Sequence, residues 1–269
     1  MKTEVIAAVL ENLRAQKPLI LSLTNSVVQN FTANMLLAVG ASPVMLNDAE
    51  ECSQLLKVCG GGLLVNVGTL SQSQAAVMRC AVDAAQSAGV PWVLDPVAVG
   101  LLGFRTEFCR ELLSMHPTLI RGNASEIMAL AGETAGGRGT DTTEESSAAV
   151  QAARKLALQC GCTVLVTGPV DYVTDGARLL ALGNGDALMT RVTGVGCAMG
   201  ALAAACVAAA PDAFTGAAAC AAILGLAGER AAACCPHPGS FAAALLDELD
   251  ALTPSDVENY TRVLENSDL

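Results

Sequence analysis

The residues able to do chemistry gather in short polar clusters, each following an apolar run. The densest is Thr193-Gly194-Val195-Gly196-Cys197, which leads into an unbroken run of small apolar residues ending at Ala210. Two glycines in three residues permit tight turning and close backbone approach. A helix that starts there aims its free N–H groups and its positive dipole end at the turn, so residues 194–197 read as an anion cradle suited to phosphate. The same letters also describe an ordinary glycine turn before a buried helix. The pattern is not a Walker A loop, because no Gly-Lys-Ser/Thr occurs in the chain. It is not Gly-x-Gly-x-x-Gly either, because Gly200 comes one residue late. Cys197 sits where turn becomes helix, and a thiol there is expected to have its pKa lowered by the dipole. It is a candidate nucleophile, base or hydrogen-bond partner, or else a small buried residue.

Asp95 follows "WVL" and precedes Pro96, and Glu126 follows "IRGNAS". Two carboxylates in a site that also takes phosphate suggest Mg²⁺, reached directly or through water. The plainer readings are a turn-starting Asp before proline, and a capping-box partner for Asn123, three residues before Glu126. Arg121 directly follows an apolar run in a chain with only 15 Lys and Arg, which suits a phosphate clamp or a salt bridge. Thr24-Asn25, Met45, Asn66 and Thr167-Gly168 complete the set of run-end residues. Met45 and Val27 read as apolar pocket lining or as core.

These positions need elements that bring them together. The runs "PLILSLT" (18–24), "ASPVM" (41–45), "GLLVNVG" (62–68), "PWVLDP" (91–96), "PTLIRG" (117–122) and "CTVLVTG" (162–168) are almost continuously apolar, as strands buried on both faces must be. Helical patterns fall between them, near 26–39, 49–59, 70–88, 103–115, 123–131 and 143–160. Strand then helix, repeated, predicts an α/β fold with a parallel sheet covered on both sides. Asp175-Gly176 inside "VDYVTDGARLLALG" (170–183) predicts a β-hairpin, and after residue 196 the chain is expected to be nearly all helix. "AGETAGGRGTDTTEESS" (131–147) reads as a surface loop leading into a capped helix. With no composition shift, residues 1–269 are expected to form one domain. In such sheets ligands bind beyond the carboxyl ends of the strands, where the polar clusters fall.

Composition excludes several classes of function. A net charge of −11 argues against nucleic acid or anionic lipid as a partner. The 11 cysteines form no CxxC and read as reduced, cytoplasmic cysteine used as a small hydrophobe. Only two histidines, His116 and His237, are present, which disfavours a His-rich zinc site and a Ser-His-Asp triad. The N-terminus lacks the apolar core of a signal peptide. The apolar stretch Cys197–Gly228 is broken by Pro211-Asp212 into halves expected to be shorter than the roughly 20 residues that span a bilayer, so no membrane partner is expected.

"LTNSVVQNFTANMLLAVGASPVM" (23–45), "VLDPVAVG" (93–100), "RGNASEI" (121–127), "VTGPVDYVTDG" (166–176) and "VTGVGCAMGALAAA" (192–205) together resemble the hydroxyethylthiazole kinase family of the ribokinase-like superfamily. The resemblance covers roughly residues 18–240, and "RGNASEI" followed by Gly-x-Gly-Cys is specific as a pair. It implies a ribokinase-like three-layer sandwich: a central, mostly parallel sheet with helices on both faces. It also implies phosphorylation by ATP, with Mg²⁺, of the primary alcohol of 4-methyl-5-(2-hydroxyethyl)thiazole in thiamine salvage. Carried over by motif position, Met45 and Gly194, with Asn25 and Val27, contact the thiazole; Arg121, Thr167 and Gly168 contact ATP; Asp95 and Glu126 serve the metal and phosphate region. Cys197 stands where most ribokinase-like enzymes have a catalytic aspartate, and ranks as an orienting partner or weak base. A cytoplasmic homotrimer with active sites at subunit interfaces is implied as well.

The chain departs from the family pattern in places. Leu21 and Ser22 precede Leu23 where a His is usual, Ala98-Val99-Gly100-Leu101-Leu102 replaces Gly-Val-Gly-Ala-Thr, and Val195 replaces a Thr while keeping its backbone N–H. These changes bear on specificity more than on reaction type. Other readings are a pyrimidine or pyridoxal kinase or an ATP-dependent repair dehydratase, each of which favours aspartate at position 197, and a silent nucleotide or thiazole sensor. A dinucleotide oxidoreductase fails for want of an early Gly-x-Gly-x-x-Gly with its acidic partner.

Overall fold

The apolar runs become strands and the periodic segments become helices, each ending where the chain supplies a stop. The computed structural model describes residues 1–58, 60–133 and 142–264, with backbone only for 142–147; residues 134–141 of the stretch 131–147, expected as a loop, lie outside the described residues. In chain order the elements are α1 (Thr3–Gln16), β1 (Leu19–Leu23), α2 (Gln29–Val39), β2 (Ser42–Val44), α3 (Ala49–Val58), β3 (Gly62–Asn66), α4 (Gln72–Ala88), β4 (Trp92–Asp95), α5 (Gly103–Leu113), β5 (Leu119–Asn123), α6 (Ala124–Leu130), α7 (Thr142–Cys160) and β6 (Thr163–Thr167). The hairpin β7 (Asp171–Thr174) and β8 (Leu179–Leu182) follows, then a 3₁₀ turn (Ala187–Arg191), α8 (Val195–Ala209), α9 (Ala213–Cys234), α10 (Pro238–Ala251), α11 (Pro254–Tyr260) and β9 (Val263–Leu264). Helix α4 begins with a capping box from Ser71 and Gln74 and stops at Gly89, whose φ is +68°.

One nine-stranded sheet runs β2-β1-β3-β4-β5-β6-β7-β8-β9. Strands β1 to β6 pair in parallel, and β7, β8 and β9 pair antiparallel. The sheet divides the core in two. One cluster joins it to α1, α2 and α8–α11, and the other joins it to α3–α7. This is the expected three-layer arrangement. The connection from β1 through α2 to β2 packs on the first face and the one from β2 through α3 to β3 on the second. The strand order therefore reverses at β1 and β3, which opens a crevice between their carboxyl ends.

Side-chain alternation fixes the site. Leu64, Val93, Leu119 and Leu165 point to the α8 face, so Asn66, Asp95, Arg121 and Thr167, two residues further along each strand, point the same way. In register Asn66 is opposite Asp95, and Leu94 is opposite Ile120. Four adjacent strands thus deliver four polar side chains to one face at one end.

Helices α8 and α9 lie on that face with small residues inward. A Cβ on Gly62 of β3 would come within 3.0 Å of the Ala204 carbonyl oxygen, so helix and sheet are in backbone contact. Two features differ from expectation. The half of the apolar stretch after Asp212 forms a helix of 22 residues, because the helical period continues past Gly228. That is long enough to cross a membrane, but α9 is buried inside the fold. The two-residue strand β9 also follows the C-terminal helices, since Val263 and Leu264 find a partner in β8 that lies about 80 residues earlier.

Candidate active site

The site is built from the four strand ends upward. Asp95 is fully buried, and its Oδ2 accepts a 2.7 Å hydrogen bond from Nδ2 of Asn66. Its Oδ1 has no hydrogen-bond partner and lies 3.8 Å from a terminal nitrogen of Arg121. Arg121 donates from its other terminal nitrogen to the Thr167 hydroxyl at 3.0 Å, while its Nε is buried and unpartnered. Burial pushes the Asp95 carboxyl up to about 7; the nearby Glu126 charge adds to this, and the Arg121 charge and the Asn66 hydrogen bond oppose it. The arrangement has a buried cation and a buried carboxylate, each with an open valence.

Helix α8 closes the site from above. Gly194 caps it in the left-handed region, φ +101°, and no side chain satisfies the first N–H groups, which remain for a ligand. The Arg121 guanidinium lies over Gly196, 3.5 Å from where a Cβ would stand. One turn on, a Cβ at Gly200 would meet Leu64 at 2.9 Å and Asp95 Oδ2 at 3.2 Å, so the third glycine is the contact point of helix and carboxylate. Cys197 is half-buried, and its Sγ lies 3.3 Å from Nδ2 of Asn25. The thiol is not the acidic one expected from its place at the helix start. Burial raises the Cys197 pKa and the Asp95 charge adds to it, while the neighbouring Asn66 and Asn25 amides and the Arg121 charge only partly offset it.

Glu126 takes the plainer of its two readings. It forms the capping box of α6 with Asn123, accepting from the Asn123 N–H at 2.9 Å, while its other oxygen accepts from the Ala98 N–H at 2.9 Å. It therefore ties β5–α6 to the loop after β4. Among the described residues no cluster of three or more His, Cys, Asp or Glu stands ready to cage a metal. The unpartnered Oδ1 of Asp95, with Glu126 nearby, fits a magnesium ion that keeps most of its waters and arrives on a polyphosphate.

The remaining expected residues are placed less centrally. Gly168 donates its N–H to Asp171 Oδ1 at 3.0 Å, so the Thr167-Gly168 turn is pinned from the hairpin. Met45 is half-buried just beyond β2. Val27 is 67% exposed, whereas its neighbour Val28 is buried against Gly194. A cavity of about 600 Å³ lies on the α4 side, lined by neutral groups including Thr24, Ser26, Thr69 and Gln74. It contains none of the expected substrate contacts. Asn66 and Asp171 are the site residues that sequence reasoning left without a role. For Asn66 the signal was its place at a strand end; for Asp171 there was none beyond a carboxylate entering an apolar hairpin.

A family model described as the hydroxyethylthiazole kinase family matches residues 10–255. This chain belongs to the hydroxyethylthiazole kinase family. A hydroxyethylthiazole kinase of Akkermansia muciniphila is 53% identical over 261 residues, covering 97% of this chain and 96% of the relative. One from Pectobacterium carotovorum is 53% identical, covering 93% and 95%. The solved structure of a hydroxyethylthiazole kinase from Pyrococcus horikoshii superposes with a TM-score of 0.89 at 36% identity, over 96% of this chain and 98% of that one. A pyridoxal kinase from Staphylococcus aureus, solved with AMP-PCP and pyridoxal, shares the fold at a TM-score of 0.61 and 14% identity. Membership makes the chain a kinase with a ribokinase-like fold.

Proposed function

We propose that this kinase transfers the γ-phosphoryl group of ATP to the primary hydroxyl of 4-methyl-5-(2-hydroxyethyl)thiazole, a thiamine-salvage step. The observation that carries the site assignment is the Arg121 guanidinium lying over the uncapped start of α8, beside the open oxygen of Asp95. A cation and a helix N-terminus converging on one point suit a transferring phosphoryl group, whose charge they stabilise without reorganising.

Arg121, Thr167 and Gly168 bind the nucleotide phosphates, and the N–H groups of residues 194–197 receive the transferred group. Asn25, Met45, Val27 and Gly194 hold the thiazole. Cys197 orients the alcohol oxygen toward phosphorus. That oxygen bonds to the γ-phosphorus, the bond to ADP breaks, and the hydroxyl proton passes late to an oxygen of the transferred phosphoryl group, as a loose transition state allows. A thiol whose pKa is raised by burial suits orientation better than proton abstraction. Asp95 and Glu126 would hold Mg²⁺, which supplies charge neutralisation on the polyphosphate.

We further place the enzyme in the cytoplasm as a single kinase domain that assembles into a homotrimer with sites at its interfaces. The exposed apolar residues Val27, Leu101 and Leu102 support this assembly. Sedimentation equilibrium should give three times the chain mass.

The deciding experiment follows ADP release from Mg·ATP with and without the thiazole alcohol, in wild type and Cys197→Ser. Alcohol-dependent ADP in the wild type supports the reaction, and its absence overturns the substrate. Survival of most of the rate in Cys197→Ser supports orientation; a collapse favours proton transfer at the thiol.

A further inference from the structure

The hydrogen bonds beneath Cys197 have a direction that the protein imposes. Oδ1 of Asn66 accepts from the backbone N–H of Gly68 at 3.0 Å, and a backbone N–H can only donate. That fixes the amide, so Nδ2 of Asn66 faces Asp95 Oδ2, 2.7 Å away. Oδ1 of Asn66 also accepts from Nδ2 of Asn25 at 3.0 Å. The second hydrogen on that same nitrogen is the one directed at Cys197 Sγ, 3.3 Å away. Both asparagines are buried, at 5% and 1% exposure, so water does not compete for these bonds. The chain crosses the crevice between β1 and β3, where the strand order reverses.

We propose that Asn66 is a positioning residue that sets the polarity of this chain, so that Cys197 Sγ is held as an acceptor toward the protein and its own proton faces the bound alcohol. The sulfur donates no hydrogen bond to any described residue, which leaves the S–H for the substrate. The thiol is thereby an oriented donor to the alcohol oxygen, and the alcohol's own hydrogen is left free to point elsewhere. The role of this donor rests on the functional reading above, in which Cys197 meets the alcohol. The direction of the chain does not.

Two readouts separate those claims. The first is alkylation of Cys197 by iodoacetamide in the enzyme without substrate, followed by mass spectrometry of the fragment that carries it. Without the Asn66 acceptor, the Asn25 amide is no longer held with its N–H toward sulfur, which disfavours the thiolate, so Asn66→Ala and Asn66→Ser should slow alkylation several-fold. The isosteric Asn25→Asp, which places an acceptor against the sulfur, should slow it further and keeps the test available if an Asn66 variant does not fold. Wild-type alkylation rates in Asn66→Ser and Asn25→Asp would overturn the proposal. The second readout is steady-state kinetics of Asn66→Ser: kcat should fall ~10-fold with both KM values within ~3-fold, the pattern of an interaction expressed in the transition state. A proportional rise in KM at unchanged kcat would also overturn it. Unimpaired turnover in Cys197→Ala, by contrast, would remove the functional reading while leaving the alkylation result standing.

Discussion

Gly68 is pressed against Asn25: a Cβ on Gly68 would stand 2.6 Å from Nδ2 of Asn25 and 2.7 Å from its Cβ. No L side chain fits there unless Asn25 moves, and Asn25 is tied at once to Asn66 and to Cys197. Gly68→Ala is therefore expected to displace the amide from the sulfur. Overpacking of this kind costs about 1–3 kcal/mol, so the melting temperature should fall modestly. The rate should fall out of proportion to it, because the site loses its aligned donor. Thermal melts and initial rates on the same preparation check this, and a variant with lowered stability and an intact kcat would refute the link.

Glu126 has a structural duty that can be measured apart from any metal. Both its oxygens accept from backbone N–H groups, at Asn123 and Ala98. In Glu126→Gln one of those donors would face the amide nitrogen and lose its acceptor. The expected destabilisation is about 1–2 kcal/mol, seen by denaturant unfolding with neither nucleotide nor magnesium present. Equal stability of the two proteins would mean that the residue serves only the reaction.

Arg121 and Asp95 stand or fall together. Arg121→Met removes the cation and leaves the fully buried Asp95 carboxyl with Asn66 alone. Breaking a buried pair from one side typically costs about 3–5 kcal/mol. The 3.8 Å separation and the missing direct hydrogen bond place this pair at the low end of that range. The KM for ATP should rise at least tenfold, as expected for loss of a charge-assisted phosphate contact worth about 1.5–3 kcal/mol. An unchanged KM for ATP would move the nucleotide away from this arginine. Arg121→Lys should recover part of the stability but little of the affinity, because an ammonium lacks the planar fork.

Much of this was legible in the chain because a parallel sheet writes its site at its strand ends. "LVNV", "VLDP", "LIRG" and "LVTG" each put a polar side chain two residues after one that points to the α8 face, and no long-range knowledge is needed to see it. The third glycine, Gly200, looked like a failed motif and proves to be where the helix touches Asp95. What stayed hidden depended on neighbours in space. Asn66 could be placed at a strand end, but its partner Asn25 follows a strand that is adjacent only because the order reverses between β1 and β3. The Cys197 thiol departs from the sequence expectation because the dipole is local and visible in sequence, whereas the burial that outweighs it is set by tertiary packing. Nor does the sequence show which of two neighbouring valines turns inward on the loop entering α2: Val28 packs against Gly194, and Val27 is exposed.

Asp171 makes a pH prediction whose sign can be worked out. It enters β7 nearly buried, and burial lifts its carboxyl to about 6, against a hydrogen bond from the Gly168 N–H and the attraction of Arg121. A carboxyl raised in the folded state holds its proton where the unfolded chain, at about 4, has released it. The folded protein then binds more protons than the unfolded one between about pH 4 and 6, and this group's contribution to stability falls as pH rises through that window. Above it, the penalty for a buried charge is fully present. Asp171→Asn keeps an oxygen for the Gly168 N–H and removes the charge. The variant should therefore melt higher than wild type at pH 8, with the gap closing by pH 4, and the Thr167-Gly168 turn should stay in place. Parallel melting curves across that range, or a variant less stable at pH 8, would show that the charge of Asp171 is held by the protein and is a net contributor to the fold.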